Sequence, residues 1–324
     1  MTRPVTWGVL GASDFALSTM APAIHAARRA RLAALATRHA PKAAPFEAFA
    51  PDLRVHDSYD ALLADPEIDA VYIPLPNALH VAWTERAVDA GKAVLCEKPI
   101  GLHVADLDRL HALRDARGVF IAEAWMPAHH PQWARVRSLL ADGAIGRLHA
   151  VTGVFTFGLD DPGNVRLDPA LGGGALRDVG VYPIGGFRLA TGLEPEVTGA
   201  DAIWEGGVDT STWVQARAGD VRFGFHVSMR TTRRQEMVFE GEAGWLVVRA
   251  PFNPGPFGEA TLHLARPGQP DLVERFPDVR QYELQVEAVA ASLCDGAPFA
   301  WTLEDARGTQ AVIDAVFDRL GPAR

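Results

Sequence analysis

The sequence predicts two domains of different class: an N-terminal α/β domain with a doubly wound parallel sheet, and a C-terminal α+β domain with a large, mostly antiparallel open sheet. Strands and helices alternate at first, whereas the later part reads mainly as strands separated by glycine-containing turns. The length of 324 residues also exceeds that of a typical domain with one core. We therefore expect residues 1–123 and 124–324 to form the two domains.

Short apolar runs that end in turns predict the first domain. The strands are "VTWGVLG", "RLAALAT", "DAVYIPLP", "AVLCEKP" and "VFIAEAW". Between them "FALSTMAPAIHAARRA", "DALLADP", "HVAWTERAVDAG" and "DLDRLHALRDARG" have helical composition, and Pro22 is expected to begin or kink the first helix. Helices that link parallel strands make right-handed crossovers, so this order predicts a doubly wound sheet.

Partial alternation of apolar and polar residues predicts the sheet of the second domain. It occurs in "GRLHAVTGVFTFG", "STWVQARA", "VRFGFHVSM", "QEMVFEG", "GWLVVRA" and "ATLHLARP". Helices are expected near "PQWARVRSLLADG", "GVYPIGGFRLATG", "YELQVEAVAASLCDG" and "TLEDARGTQAVIDAVFDRL". Few helices are available to cover two partly apolar faces, so we expect self-association through this sheet, as a dimer or tetramer.

Composition limits the function classes. The net charge of -9 argues against nucleic acid as a partner. The sequence has no apolar run long enough to span a membrane, and its start resembles no export signal. The two cysteines fit a reduced, cytoplasmic setting. The adjacent His129 and His130 point to different sides, so we expect a structural or substrate-facing role and no metal.

The turn after the first strand is the candidate cofactor site. A dinucleotide fold places glycines there, so that the backbone and a helix N-terminus approach the pyrophosphate. Against G-x-G-x-x-G only the first glycine is kept, with a small serine and alanine at the other two positions. The alternative is a plain tight turn. The residues predicted to bind the cofactor here are Gly11, Ala12, Ser13, Asp14 and Phe15.

The end of the second strand favours NADP over NAD. An NAD site usually places Asp or Glu there to bind the 2'-hydroxyl of the ribose. This sequence has no Asp or Glu from Phe15 through Phe46. Thr37, Arg38 and His39 stand at the strand end instead, and a guanidinium suits a 2'-phosphate. The alternative is a solvated surface arginine, in which case NAD remains possible.

Four motifs together resemble one family of oxidoreductases. "GVLGASDFA", "YIPLPNALH", "CEKPIG" and "DVGVYPIGG" are similar to motifs of the glucose-fructose oxidoreductase, inositol dehydrogenase and rhizopine-catabolism (Gfo/Idh/MocA) family. Within it, "EAWMPAHHPQWARVRSLLADGAIG" and "LGGGALRDVGVYP" look most like D-xylose dehydrogenases and their 1,5-anhydrofructose-reductase and dihydrodiol-dehydrogenase relatives. The resemblance implies a Rossmann domain followed by a substrate-binding domain. Ser13 departs from a frequent glycine of the family.

The resemblance also implies site roles. Lys98 would lie beside the nicotinamide and reach the reacting substrate oxygen, with Pro99 in the cis form. Tyr182 would transfer the proton. Further residues implied to line the cofactor are Pro74, Leu75, Pro76, Asn77, His80 and Glu97.

Residue chemistry agrees with an acid–base pair. A phenol is a poor base at neutral pH, and an adjacent ammonium such as that of Lys98 would favour the phenolate form of Tyr182. Asp178 stands four residues before Tyr182 and would share a helix face with it. The alternatives are a strand-end lysine paired with Glu97, an ordinary helix tyrosine, and an aspartate that favours the helix dipole.

These observations predict an NADP-dependent sugar dehydrogenase that oxidises a pyranose such as D-xylose at C1 to a lactone, or acts on a related keto-sugar. A non-catalytic dinucleotide-binding sensor and a nucleotide-dependent glycosidase are the alternatives. "GGGA" at 172–175 is either a phosphate cradle or a flexible lead into the helix of Tyr182. Besides Asp178 and Tyr182, the residues expected to contact substrate are Trp125, Met126, Phe157, Asn164 and Arg166.

Overall fold

The computed structural model describes residues 3–321. By packing, the chain forms two compact units. The first runs to His129 and also contains Arg280–Ala306, whereas the second is His130–Val279 and resumes at Arg307. A late segment therefore packs with the early part of the chain, which a single boundary does not describe. The division into 1–123 and 124–324 stays a prediction.

The first unit contains a six-stranded sheet in the order β3-β2-β1-β4-β5-β6, in which every neighbouring pair is parallel. This confirms the predicted doubly wound α/β class. The strands are Val5–Leu10 (β1), Ala30–Ala36 (β2), Arg54–His56 (β3), Ala70–Ile73 (β4), Ala93–Cys96 (β5) and Ile121–Glu123 (β6).

Helices of the first unit pack on the parallel sheet. They are Ala21–Ala26 (α1), Ala44–Glu47 (α2), Tyr59–Leu63 (α3), His80–Asp89 (α4) and Val104–Arg117 (α5). A late helix, Gln281–Asp295 (α8), joins them, because Val286, Val289 and Ala290 lie in the same apolar core as Val5 and Trp7. The first unit is therefore completed by residues far along the chain. The next two α-helices along the chain after α5, Pro131–Ala141 (α6) and Val181–Thr191 (α7), belong to the second unit.

The second unit contains an eight-stranded sheet in the order β14-β13-β12-β11-β7-β10-β9-β8. All neighbouring pairs are antiparallel except β7 and β10, which run parallel. The predicted mostly antiparallel sheet is confirmed. Its strands are Leu148–Gly158 (β7), Glu196–Glu205 (β8), Val208–Ala218 (β9), Val221–Ser228 (β10), Arg230–Gly241 (β11), Gly244–Arg249 (β12), Thr261–Ala265 (β13) and Leu272–Arg275 (β14).

Helices of the second unit cover one face of this sheet. Helices Pro131–Ala141 (α6) and Val181–Thr191 (α7) pack against each other, and the Cβ position of Gly153 on β7 faces Pro183 of α7. The last helix, Leu303–Leu320 (α9), begins in the first unit and continues in the second. Residues of β9 alternate between buried and exposed from Thr212 to Ala218, as expected for a sheet with one covered face.

Some elements differ from the expectation. The sequence analysis did not identify β3, β8 or β14, because their short or small-and-charged runs lack clear apolar alternation. Two helices begin with a π-helical turn, at Ala16–Met20 before α1 and at Leu176–Gly180 before α7. Within residues 3–321, no helix combines the length and the apolar character needed to cross a membrane.

Candidate active site

The turn after β1 brings the predicted cofactor residues together at the carboxyl edge of the parallel sheet. Gly11 has φ of +117°, which side-chain-bearing residues rarely adopt. A Cβ there would lie 3.1 Å from Leu75 Cδ2 and 3.3 Å from the Tyr59 hydroxyl. Ser13 accepts the Ala16 N–H through Oγ at 3.1 Å, which closes the turn into the helix. Both its backbone conformation and the lack of room for a Cβ atom therefore require a glycine at position 11, the one glycine kept from the fingerprint.

Arg38 is available to an anion at the end of β2. Its side chain is exposed, and among the described residues it forms no ion pair. Thr37 is buried, and its hydroxyl accepts the His39 N–H at 3.2 Å. Burial raises the pKa of Tyr59, and the positive charge of Arg38 opposes that shift, so the phenol lies near the guanidinium. Tyr59 is a candidate cofactor residue that sequence reasoning missed, since no motif points to it.

These observations fit a dinucleotide with a 2'-phosphate. Gly11 leaves room for close approach of a ligand to the backbone, Asp14 and Phe15 are exposed, and Arg38 offers a cation beside the Tyr59 hydroxyl.

His80 joins two loops at the carboxyl edge. It is fully buried, and its Nδ1 and Nε2 lie 2.7 Å from the carbonyl oxygens of Pro99 and Leu75. Burial lowers the pKa of His80 to about 4, and the charge of Lys98 acts in the same direction. The neutral ring has one N–H and donates to one of the two carbonyls. These contacts hold the loop after β4, the half-buried Pro74–Asn77 segment, beside the loop after β5.

Lys98 lies two residues after the end of β5, and carboxylates interact with this loop. Glu97 accepts the Tyr72 hydroxyl at 2.7 Å through Oε1 and the Lys98 backbone N–H at 3.3 Å through Oε2. The Lys98–Pro99 peptide bond is cis, as the resemblance implies. Glu123, at the end of the neighbouring β6, also interacts electrostatically with Lys98. The sequence analysis did not single out Glu123, since it stands within an apolar run that reads as a plain strand.

Two predicted substrate residues lie in the core of the first unit. Trp125 and Met126 are 0% and 2% exposed. The Trp125 ring stacks on Trp301 with 4.1 Å between ring centroids. Both side chains are buried, and their role in substrate binding stays a prediction.

Tyr182 lies in the first turn of α7 in the second unit, in an aromatic setting. It is 5% exposed, and its ring centroid lies 5.0 Å from that of Phe155 and 5.3 Å from that of Phe252. Phe157, a predicted substrate residue, is half-buried on the same strand and contacts Phe155. Aromatic rings fix the orientation of the phenol without adding charge.

The structure brings Asp178, Arg166 and Asn164 together. Arg166 donates from Nε to Asp178 Oδ2 at 2.6 Å, and Asn164 Oδ1 accepts the Arg166 backbone N–H at 3.1 Å. Asp178 lies in the π-helical turn that leads into α7, four residues before Tyr182. The three residues form a charged, hydrogen-bonded group, of which Asp178 is the member close in sequence to the tyrosine.

The "GGGA" segment packs closely and does not form a phosphate cradle. The Gly173 and Gly174 N–H groups donate to the Asp168 and Arg166 carbonyls at 3.0 Å each. The buried Asp209 accepts the Leu176 N–H at 2.8 Å, and burial raises the pKa of Asp209 to about 6. The segment is thus anchored to the sheet as it enters the helix, rather than being a flexible lead.

The adjacent histidines diverge. His129 packs on Phe299, with 4.8 Å between ring centroids, in the first unit. His130 belongs to the second unit and accepts the Gln132 N–H through Nδ1 at 3.1 Å, which caps the start of α6. Among residues 3–321, no three His, Cys, Asp or Glu side chains are grouped to hold a metal ion.

A glycine turn, a strand-end lysine and an exposed strand-end arginine on a parallel sheet define the class: a dinucleotide-dependent oxidoreductase. The comparisons with known proteins agree. The model described as "Oxidoreductase family, NAD-binding Rossmann fold" matches residues 5–124, and that of the GFO/IDH/MocA C-terminal domain matches residues 133–247. The chain belongs to the GFO/IDH/MocA family, as the motifs predict.

Relatives with known activities span nearly the whole chain. A dTDP-3,4-didehydro-2,6-dideoxy-alpha-D-glucose 3-reductase of Actinomadura kijaniata is 33% identical, over 97% of this chain and 95% of that protein. A D-xylose 1-dehydrogenase (NADP(+)) of Haloferax volcanii is 31% identical, over 96% of each. A solved 3-ketoreductase from Actinomadura kijaniata, in complex with NADP and TDP-benzene, has a TM-score of 0.92 at 30% identity and 98% coverage of both chains.

These relatives confirm the predicted enzyme class and cofactor at the level of the family: NADP-dependent sugar dehydrogenases and reductases that act on a CH–OH group. They do not test the individual site residues, which stay predictions.

Proposed function

We propose that this protein transfers hydride between NADP and a pyranose sugar, with Lys98 and Tyr182 as its catalytic residues. Bound NADP supplies the hydride acceptor, or NADPH the donor. Lys98 holds the reacting oxygen of the substrate, and Tyr182 takes or gives its proton. The substrate is an aldose such as D-xylose oxidised at C1, or a keto-sugar that is reduced.

One observation carries the proposal. The related 3-ketoreductase has been crystallised with a tyrosine replaced by phenylalanine and with a lysine replaced by alanine. Those two residues are as far apart along that chain as Lys98 and Tyr182 are along this one. A non-catalytic sensor need not keep both residues, so the pair favours an enzyme over the sensor and over the glycosidase.

A panel of assays distinguishes oxidation of an aldose from reduction of a keto-sugar. NADP reduction is followed with D-xylose and other aldoses, and NADPH oxidation with keto-sugars, both free and linked to dTDP. Turnover in either direction that is lost in Tyr182→Phe supports the proposal. Tight NADP binding without turnover of any sugar in the panel contradicts it and favours the sensor.

Self-association and cytoplasmic location are part of the same proposal. Four exposed apolar side chains lie on the face of the eight-stranded sheet opposite to α6 and α7: Ile203, Trp213, Trp245 and Val273. A second copy of the chain is the occupant expected for this surface, since two-fold dimers bury such a face on both partners. Both cysteines are free thiols, which fits a reducing compartment.

We expect light scattering to give at least twice the chain mass of 34.9 kDa. Replacement of Trp213 by Glu should shift the protein toward the monomer without loss of helix content by circular dichroism. Phe15→Glu, an exposed aromatic residue of the first unit, is the control that should leave the mass unchanged. A wild-type mass near that of one chain would contradict self-association.

A further inference from the structure

Glu123 is a buried carboxylate at the carboxyl end of β6. It is 3% exposed. Its Oε1 accepts the Ile100 backbone N–H at 3.0 Å, and its Oε2 accepts the indole N–H of Trp301 at 2.9 Å. Ile100 stands two residues after Lys98, so the carboxylate holds the loop that carries the lysine.

Both oxygens of Glu123 face N–H donors, which an ionised carboxylate satisfies best. A protonated carboxyl or an amide would turn one of its own hydrogens toward Ile100 or Trp301. The indole cannot easily turn away, because Trp301 is 1% exposed and stacks on Trp125. The geometry therefore requires an acceptor at both positions.

A charge in this place needs compensation. Burial raises the pKa of Glu123; the hydrogen bonds from Ile100 and Trp301 lower it, and so does the positive charge of Lys98. The negative charge of Glu97 raises it. A buried charge is tolerated when an opposite charge lies near it, and Lys98 is the cation whose field acts on Glu123.

Two other titratable groups lie close to this cluster. Burial raises the pKa of the Cys96 thiol, and the charges of Glu97 and Glu123 add to that shift. The buried His80 is neutral at physiological pH, since its pKa lies at about 4. Near pH 8 neither group changes its charge, so the carboxylates and Lys98 dominate the local electrostatics.

We propose that Glu123 is a positioning residue for Lys98. Its carboxylate fixes the loop that carries the lysine through the hydrogen bond from the Ile100 N–H. The consequence for turnover rests on the proposed function, whereas the fixed position of this loop does not.

The sequence makes a direct test possible because it contains only three lysines, Lys42, Lys92 and Lys98. Acetic anhydride reacts faster with an amine that solvent reaches freely than with one held in place by the fold. The whole protein is labelled briefly at one fixed pH, and peptide mass spectrometry gives the rate at each lysine. The exposed Lys42 is the internal reference. Lys92 donates to the carbonyls of Asp65 and Ile68 and reports whether the first unit stays folded.

Glu123→Ala leaves the Ile100 N–H without its acceptor, so the loop should hold Lys98 less firmly and the rate at Lys98 relative to Lys42 should rise about threefold or more. Trp301→Phe is the matched control: it removes the other donor but keeps the carboxylate on the Ile100 N–H, so the ratio should stay within about twofold of wild type. An unchanged ratio in Glu123→Ala, or an equal rise in both variants, would overturn the proposal.

Two further measurements test the same contact. If Glu123→Ala fails to fold, as a raised rate at Lys92 would show, Glu123→Asp shortens the side chain and withdraws the carboxylate from the Ile100 N–H, so the ratio should still rise; an unchanged ratio there would contradict the proposal. With a sugar substrate, Glu123→Ala should lower kcat more than it raises KM, and Glu123→Gln, which keeps an oxygen that can accept the Ile100 N–H, should restore part of kcat. If labelling gives the expected result but no sugar is turned over, the proposed function fails and the positioning role stands.

Discussion

The two units hold their candidate reactive side chains in opposite surroundings. In the first, Lys98 follows a parallel strand and lies among carboxylates: Glu97 is its neighbour in the chain, and the positive charge of Lys98 lowers the pKa of Glu123. In the second, Tyr182 begins a helix and lies between the rings of Phe155 and Phe252. The first arrangement groups charged side chains, whereas the second groups aromatic rings.

The difference teaches what each residue depends on. A side chain set among charges changes its behaviour when a neighbouring charge is removed, even if the packing is kept. A side chain set among rings depends on shape, so loss of a ring should move it without changing its chemistry. Removal of a neighbouring charge is therefore the informative change for the lysine, and removal of a neighbouring ring is the informative change for the tyrosine.

The largest effect is expected when either reactive group is removed. Lys98→Ala and Tyr182→Phe should each lower kcat by roughly 10² or more, because each deletes a group that acts on the moving proton or the substrate oxygen. The double variant should be little worse than either single one, because the pair acts as a unit. Steady-state kinetics and fluorescence titration of NADPH provide the measurements.

The matched control for this pair is Lys42→Ala, which removes an exposed lysine and should leave kcat unchanged. NADPH binding should change much less than kcat in Tyr182→Phe. Near-normal turnover in that variant would remove the tyrosine from the mechanism.

A smaller effect is expected in cofactor choice, a property of the first unit alone. Arg38→Ala should weaken NADP by about tenfold to 150-fold, because a charge-assisted contact to the 2'-phosphate is worth on the order of 1.5 to 3 kcal/mol. NAD, which lacks that phosphate, should bind almost as before. Dissociation constants for both cofactors are measured by titration.

Arg31 offers the control for Arg38. It is also exposed, but it lies near the opposite end of β2, away from the carboxyl edge. Arg31→Ala should weaken neither cofactor. Equal losses of NADP and NAD affinity in Arg38→Ala would show that this arginine does not bind the 2'-phosphate.

A separate effect, on stability rather than on activity, concerns acid pH and the second unit. Burial lowers the pKa of His130 to about 4, from 6.5 in the unfolded chain. Since the folded pKa is the lower one, the stabilising contribution is full above pH 6.5 and is lost as pH falls to about 4. It amounts to about 3 kcal/mol at most. Urea unfolding at a series of pH values measures it.

His130→Asn should flatten this pH dependence, because asparagine keeps the cap on the Gln132 N–H and does not titrate. His25→Asn, at an exposed position of α1, should not flatten it. If the two variants lose stability with acid to the same degree as wild type, another group dominates between pH 6.5 and 4.

Sequence reasoning was strongest where a residue type is dictated locally. The positive φ of Gly11 and the apolar runs of the parallel strands follow from sequence pattern, and the family motifs identified Lys98 and Tyr182 as candidates. Local pattern was weaker for β8, where small and charged residues hide the alternation.

Contacts between distant parts of the chain could not be predicted. Glu123 reads as one polar residue within an apolar strand, and only the fold brings the Trp301 indole to its carboxylate. Tyr59 comes near Arg38 because α3 follows β3 at the sheet edge, and no motif encodes that approach. The first unit likewise contains α8, although the helical pattern of α8 says nothing about the sheet on which it packs.

The return of Arg280–Ala306 to the first unit has a consequence for synthesis on the ribosome. Domains usually fold as they emerge, N-terminal part first. Here the early sheet lacks Val286, Val289 and the Trp301 indole until these residues have left the exit tunnel. A nascent chain that stops at Val279 has every strand of the parallel sheet but an incomplete core. We expect the first unit to reach its final stability only after Ala306 has emerged.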